Sequence, residues 1–264
     1  MLEEMKTALA DLMMPATLLP HDGGWPLFGR VHLLWLRYAS AVVVLCTLLY
    51  RHLSSKKARK RMTWIVVIIP LVLLASQDIG FVVTGTFTPS WWPLHSCNAC
   101  EYLGLLYAIW PAAWIGETLF CLSATGAVCA LLFPGWAWCP PLSWPVICGF
   151  TEHSLMLALV LMKLSTGELV PSLKRLWQAV AFSGAYLVFC LAINERFGTN
   201  FMFVSTPAEG SPLEFFASWL GWPGYLVPYA AGILGIWVLM HKAVSCTGRG
   251  HEARASGRHF RKAA

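Results

Sequence analysis

Charge is scarce in this chain. Asp, Glu, Lys and Arg together make up 12% of its 264 residues, against roughly 25% in an ordinary soluble domain, and the mean hydropathy is +0.60. With 57% hydrophobic residues and 14 Trp, that scarcity excludes a soluble globular protein and specifies a polytopic membrane protein. Other signatures are missing too. No internal repeat is visible, which counts against a transporter of paired halves. There is no Asp-Arg-Tyr-like triplet and no Lys in the middle of the last apolar segment, which counts against a signalling receptor or a retinal protein. Residues 1–20 hold Glu3, Glu4 and Asp11 among Met and Leu, with Lys6 as their one basic residue and no long apolar core. They do not read as a cleaved signal peptide, and an interfacial amphipathic segment over 1–24 is the expectation.

What is present is a series of apolar runs. At roughly 20 residues per crossing, the sequence predicts an all-α bundle of seven transmembrane helices, about 31–50, 63–84, 98–115, 117–133, 144–162, 176–194 and 223–241. The count depends on splitting 98–133 at Pro111 and at Gly116-Glu117; fusing that run would give six. Basic residues near helix ends favour the cytoplasmic side, and they test the split. Arg51, Lys56, Lys57, Arg59, Lys60 and Arg61 follow the first helix, Lys163, Lys174 and Arg175 follow the fifth, and Lys242, Arg249, Arg254, Arg258, Arg261 and Lys262 lie in the tail. Seven crossings put these 15 of 19 basic residues on one face, with the N-terminus outside and the C-terminus cytoplasmic. The expected organisation is a seven-helix domain over 25–242 and a basic cytoplasmic tail over 243–264. The net charge of +6 then reports orientation, with attraction to anionic lipid as a secondary effect. Nucleic acid is not an expected partner.

The chemistry concentrates in Trp91-Trp92-Pro93-Leu94-His95-Ser96-Cys97-Asn98-Ala99-Cys100-Glu101, where a His, two Cys and a Glu meet the edge of an apolar helix. Ionisable groups are costly there, so they call for a function. Nine Cys is an odd number, so at least one stays unpaired. Cys46, Cys121, Cys129, Cys148 and Cys190 lie inside apolar helices, where Cys behaves as a small hydrophobe. Cys97, Cys100 and Cys139 fall near the outer face, where a disulfide persists if the compartment is oxidising; which of them pair is open.

Three further readings compete for the same stretch. A thiol nucleophile needs an imidazole to take its proton. His95 is too close in sequence to face Cys97 on a helix, whereas His153 sits about nine residues into the fifth helix, roughly 13 Å deep, beside Glu152. A metal site could use His95, Cys97 and Cys100 with Glu101, yet the second ligand pair of a closed zinc site is missing. A redox Cys-x-x-Cys lacks both a thioredoxin-like context and a second Cys pair. Asp78 and Glu117 read as paired or protonated acids, with Glu117 at a helix start where the dipole favours it. The Trp groups at 91–92, 136–138 and 219–222 read as interface anchors. The long connection from Asn194 to Gly224, with Gly198, Asn200 and many aromatics, is expected to fold back over the cavity that holds His153.

A resemblance emerges from several of these pieces in order. Phe28-Gly29-Arg30-Val31-His32-Leu33-Leu34-Trp35-Leu36, Pro93-Leu94-His95-Ser96-Cys97, Glu152-His153-Ser154, Gly198-Thr199-Asn200-Phe201-Met202-Phe203 and Leu220-Gly221-Trp222-Pro223 make the chain, from about 25 to 241, similar to the YwaF family of integral membrane proteins. That family in turn resembles an animal transmembrane cysteine acyltransferase that remodels ether phospholipids. The resemblance implies Cys97 as nucleophile in the Leu-His-x-Cys motif and His153 as base.

The expectation carried into the structure is therefore a membrane-embedded acyltransferase or acyl hydrolase working through a thioester on Cys97. His153 would be its base, Asn200 or His95 an oxyanion donor, and Glu101 or Glu152 an orienting acid. Membrane phospholipids are the implied substrates, and neither a cofactor nor a metal is required. The competing class is a non-enzymatic transporter or receptor-like protein whose buried acids and His line a polar pathway.

Overall fold

The computed structural model describes residues 12–13, 24–208 and 210–246. Among these residues the chain is entirely helical. The helices are α1 (Arg30–His52), α2 (Lys56–Val83), α3 (Ser96–Ile109), α4 (Ala113–Leu132), α5 (Trp144–Ser165), α6 (Leu176–Phe197), α7 (Pro212–Gly224) and α8 (Leu226–Cys246). All but α3 and α7 are long and apolar enough to cross a membrane, which makes six such spans by length and composition. The expected third crossing is α3, which has 14 residues and is roughly 21 Å long at 1.5 Å per residue, less than the ~30 Å of a hydrocarbon core. The chain does break between it and α4, but at Trp110–Ala112, one turn before Gly116-Glu117. Most of the expected interfacial segment 1–24, and the tail beyond Cys246, fall outside the described residues.

Helix directions follow from which residues meet. Tyr38 Oη lies 3.1 Å from Thr151 Oγ1, and Lys163 Nζ donates to Tyr50 Oη at 2.6 Å. Both pairs are 113 residues apart, and a constant separation means that α1 and α5 run parallel. By contrast, α2 meets the start of α5 through Trp144 Nε1 donating to Ser76 Oγ at 3.0 Å, and meets the segment after α5 through Arg59 and Glu168 at 3.4 Å, so this pair is antiparallel. The end of α8 reaches the beginning of α4, where His241 Nε2 is 2.5 Å from Glu117 Oε1, while Tyr225 at its start donates to Phe203 O. One end of the bundle thus gathers His52, Lys56, Glu168, Arg175 and His241, and the other gathers His95, Asn200 and Trp222.

The core is built around α4 and α5, which are buried along most of their length, while α1, α6 and α8 turn apolar side chains such as Leu45, Val188 and Val227 outward. An all-round apolar helix suits the centre, and outward Leu and Val suit lipid. Polar side chains inside this core are tied down. His32, fully buried, receives the Phe28 N–H on Nδ1 at 2.8 Å and faces Leu131 O with Nε2 at 2.8 Å. Both ring nitrogens are thereby used, and its role is structural.

On the basic side, Lys163 Nζ bonds Glu168 Oε2 at 2.7 Å and Tyr50 Oη, and Tyr50 Oη donates to Glu168 Oε2 at 2.8 Å. This clasp joins α1, α2 and α5. Burial pushes the Glu168 carboxyl up, but the donors Lys163, Tyr50 and Thr166 outweigh it and hold the group below the usual glutamate range. Lys163, which in the sequence marks only orientation, is a buried structural residue.

Candidate functional site

Cys97 occupies the first turn of α3. Helix starts leave amide N–H groups without helical partners, and the Cys97 thiol stands at that end of α3. His95 precedes the helix with extended backbone (φ −67°, ψ 157°), and its N–H donates to Asn98 Oδ1 at 3.2 Å. The bond fixes where α3 begins. From below, Tyr186 Oη donates to Leu94 O at 2.9 Å and Cys190 Sγ reaches the same oxygen at 3.5 Å, so α6 pins the turn that carries both His95 and Cys97. All nine thiols are free; neither Cys100 nor Cys139 is bonded to Cys97.

His153 lies on α5 and is buried. Its Nδ1 is 2.7 Å from Gly149 O. A carbonyl can only accept, so Nδ1 carries the ring proton and Nε2 keeps its lone pair, the form in which an imidazole acts as a base. The Trp136 ring lies against it with centroids 5.1 Å apart. A Cβ added at Gly149 would stand 2.6 Å from Trp136 Cε2, so the glycine is what lets the indole close on the helix beside the imidazole. Trp136 is thus the seat of His153, a role the interface-anchor reading of its cluster did not foresee.

No hydrogen bond joins Cys97 to His153 among the described residues. His95 lies near enough to feel the charge of His153, Cys97 that of Glu101 and Glu152, and Glu152 that of Glu101 and Asp78. Glu101 Oε2, Glu152 Oε1 and Asp78 Oδ1 are buried with no hydrogen-bond partner among the described residues. A buried polar oxygen without a partner is costly, and two of these acids, Glu101 and Glu152, lie near the Cys97 thiol. His95, in the connection ahead of α3, is pushed down to about 4 by burial and then by the neighbouring His153. It is neutral at physiological pH.

The loop after α6 closes over His95. Phe201 and Phe203 each place a ring centroid 5.3 Å from the His95 ring. To present both, the backbone enters the left-handed region at Met202 (φ 60°) and Phe203 (φ 55°), which is strained for side chains of this size. Hydrogen bonds impose it. Asn194 Oδ1 accepts from Phe201 N at 2.8 Å and its Nδ2 donates to Phe201 O at 3.1 Å; Tyr225 Oη donates to Phe203 O at 2.7 Å and Trp222 Nε1 to Val204 O at 3.1 Å. The loop does fold back onto the bundle, but the ring it touches is His95 and not the expected His153.

Asn200 departs from its expected role. Its Nδ2 donates to Thr206 O at 2.9 Å and Thr206 Oγ1 at 2.6 Å, and its Oδ1 accepts from Ser205 N and Thr206 N at 3.1 Å each. With both amide hydrogens used inside its own turn, Asn200 has none left for an oxyanion. Sequence reasoning passed over Asn194, Tyr186 and Trp136, which position the site without titrating. A buried Asn in an apolar helix was the available signal for the first of these.

Glu117 meets His241 at the other end of the bundle. Glu117, 1% exposed, accepts from Ser172 N at 3.1 Å and from Arg175 Nε at 3.1 Å on Oε2, besides meeting His241. The paired reading of this acid holds, with Arg175 and His241 as partners. Among the described residues, the His, Cys and acidic side chains whose donor atoms converge within 4.8 Å are Glu117, Cys121 and His241; His95, Cys97 and Cys100 form no such group.

No curated protein and no solved structure matches this chain. The model of the TMEM164 family matches residues 27–241, nearly the same span as the ordered motifs that pointed to a YwaF-type protein, so the family that matches carries a different name from the one expected. Six apolar helices and a match over most of its length make this an integral, multi-pass membrane protein, and the chain belongs to the TMEM164 family.

Proposed function

We propose that this protein is a lipid acyltransferase or acyl hydrolase that carries the acyl group as a thioester on Cys97, with His153 as the base. The observation that carries this reading is a free thiol at a helix N-terminus, close to the buried acids Glu101 and Glu152, together with a buried imidazole whose tautomer is set by Gly149 O.

The Cys97 proton passes to His153 Nε2, and the thiolate sulfur attacks the ester carbonyl carbon of a phospholipid. The acyl C–O bond breaks as the leaving alkoxide takes the proton back from His153, leaving a thioester and a lysophospholipid. An acceptor hydroxyl, or water, then gives its proton to His153 and attacks the thioester carbonyl. The C–S bond breaks and the thiol is restored. His95, neutral and pressed by two Phe rings beside the nucleophile, is the oxyanion donor in this scheme; Gly149 O and the Trp136 ring keep the imidazole oriented.

Seven crossings with the N-terminus outside belong to the same proposal. The parallel course of α1 and α5 supports it, because the chain then reverses direction four times between them, and the break at Trp110–Ala112 makes α3 one of those passes. Cys97 would then lie near the outer leaflet, where a phospholipid ester can reach it sideways.

The buried acids Asp78, Glu101 and Glu152, each with one oxygen that lacks a hydrogen bond among the described residues, favour a second reading, a polar pathway for a cation or solute. Incubating the purified full chain with phospholipid and mapping hydroxylamine-labile acylation by mass spectrometry separates the two. The proposal expects a thioester on Cys97 that is lost in Cys97→Ala, strongly reduced in His153→Ala and retained in Cys100→Ala. Acyl exchange that persists in Cys97→Ala, or no acylation at all, refutes it.

A further inference from the structure

We propose that Glu117, Cys121 and His241 form a binding site for a divalent transition-metal cation of the zinc type, at the end of the bundle opposite Cys97. The site is independent of the thioester reading and shares none of its residues.

The geometry is that of a ligand set. One oxygen, one sulfur and one nitrogen donor lie within 4.8 Å of one another, and the three side chains are 1%, 0% and 2% exposed. Glu117 and Cys121 are four residues apart on α4 and so share a face. Cys121 sits in a π turn, Leu119–Ser123, inside that helix, a distortion that recurs at functional sites. His241 enters from α8, and its Nδ1 is 2.7 Å from Trp237 O. The proton therefore resides on Nδ1, and Nε2 is directed at the other two donors, as in metal sites where a backbone carbonyl orients the ligating ring. Glu117 is oriented in the same way. Arg175 Nε holds Oε2, Ser172 N bridges the two oxygens at 3.1 and 3.2 Å, and Oε1 faces His241.

An ion pair accounts for two of these residues. It gives the buried Cys121 no part beyond that of a small apolar side chain, although its sulfur stands within 4.8 Å of the carboxylate and the imidazole. A divalent cation accounts for all three. Its two positive charges are balanced by one thiolate and one carboxylate, with a neutral imidazole, so the metal and its three ligands add no net charge beside Arg175, which holds the same carboxylate. Mixed N, S and O donors select zinc over the oxygen-seeking calcium and magnesium, and three protein donors leave a fourth tetrahedral position for water. Binding releases the Cys121 thiol proton and the proton shared between Glu117 and His241 to solvent; two protons are exchanged for one divalent cation, and charge is conserved.

The test uses the full chain in detergent micelles, stripped with chelator and then dialysed against Zn2+ or Co2+. The expected result is one zinc retained per chain and, with cobalt, a thiolate-to-metal charge-transfer band. Cys121→Ser should lose the band and most of the retained zinc, and His241→Gln should lose the zinc. Cys97→Ser and Cys100→Ser should keep both signals, so failure of the acyl-transfer reading leaves this outcome untouched. Should His241→Gln fail to fold, Cys121→Ser decides the matter. A parent protein that retains no zinc above background, or a cobalt band that survives in Cys121→Ser, overturns the proposal.

Discussion

Gly149→Ala sets two known effects against each other. Alanine in the interior of α5 is favoured over glycine by roughly 1 kcal/mol of helix propensity, so an open site would gain stability. This one is not open: the new methyl would meet Trp136 Cε2 at 2.6 Å, Cδ2 at 2.7 Å and Cζ2 at 2.8 Å, where carbon atoms normally stay ~3.5 Å apart or more. The indole must retreat by roughly 1 Å, and it has Phe150 at 5.6 Å and His153 at 5.1 Å around it. Overpacking of this kind costs about 1–3 kcal/mol. Net destabilisation should therefore reach up to about 2 kcal/mol, as the difference of the two effects. Because Trp136 seats the His153 ring, a shift near 1 Å should also lower acyl transfer by about 100-fold. The assays are the apparent melting temperature in detergent and the rate of acyl exchange. Adding Trp136→Leu should restore stability more in the Gly149→Ala background than Trp136→Leu gains alone. A Gly149→Ala variant that melts higher than the parent and keeps full activity would refute the packing argument.

Two other outcomes follow from the hydrogen-bond networks. The Glu168 carboxyl is held below its usual range by Lys163 and Tyr50 against the opposing pull of burial, so its contribution is complete above the unfolded-state value of about 4.3 and is lost as the pH falls through the lower folded-state value; the melting temperature should drop with acidification there in the parent and change less in Glu168→Gln, and equal slopes would exclude the clasp. Asn194→Ala removes bonds to Phe201 N, Phe201 O and Thr199 Oγ1, roughly 3 kcal/mol at about 1 kcal/mol each, so hydrogen exchange across Phe201–Val204 should speed up markedly, and unchanged protection would show that Tyr225 and Trp222 hold the loop alone.

The bundle was legible because its signals are additive. Long apolar runs report crossings, and clustered Lys and Arg report one face, so most helix positions could be read from composition alone. The third helix resisted, since Pro111 announces a break without saying that the helix before it has only 14 residues. The site was legible as a set of residue types and less so as an arrangement. Cys97, His153, Glu101 and Glu152 stood out because charge and thiol are costly in apolar context; the acids lie near the thiol, while the neighbours of His153 are Gly149, Trp136 and His95. Asn200 misled because a turn residue and an oxyanion donor look the same in sequence; its four local bonds separate the two. The meeting of Glu117 with His241 bridges 124 residues, and no local pattern encodes such a contact.

The parallel pairing of α1 with α5 also has a consequence in time. Each polar bond between them spans 113 residues, and ribosomes add about 5–20 residues per second, so α1 waits on the order of ten seconds in the bilayer before its partner is made. During that interval Tyr50 has no Lys163 to receive. The lipid-compatible flank of α1, with Val44, Leu45, Leu48 and Leu49 turned outward, is what lets a nascent helix endure as a solitary insert until the ribosome delivers the rest.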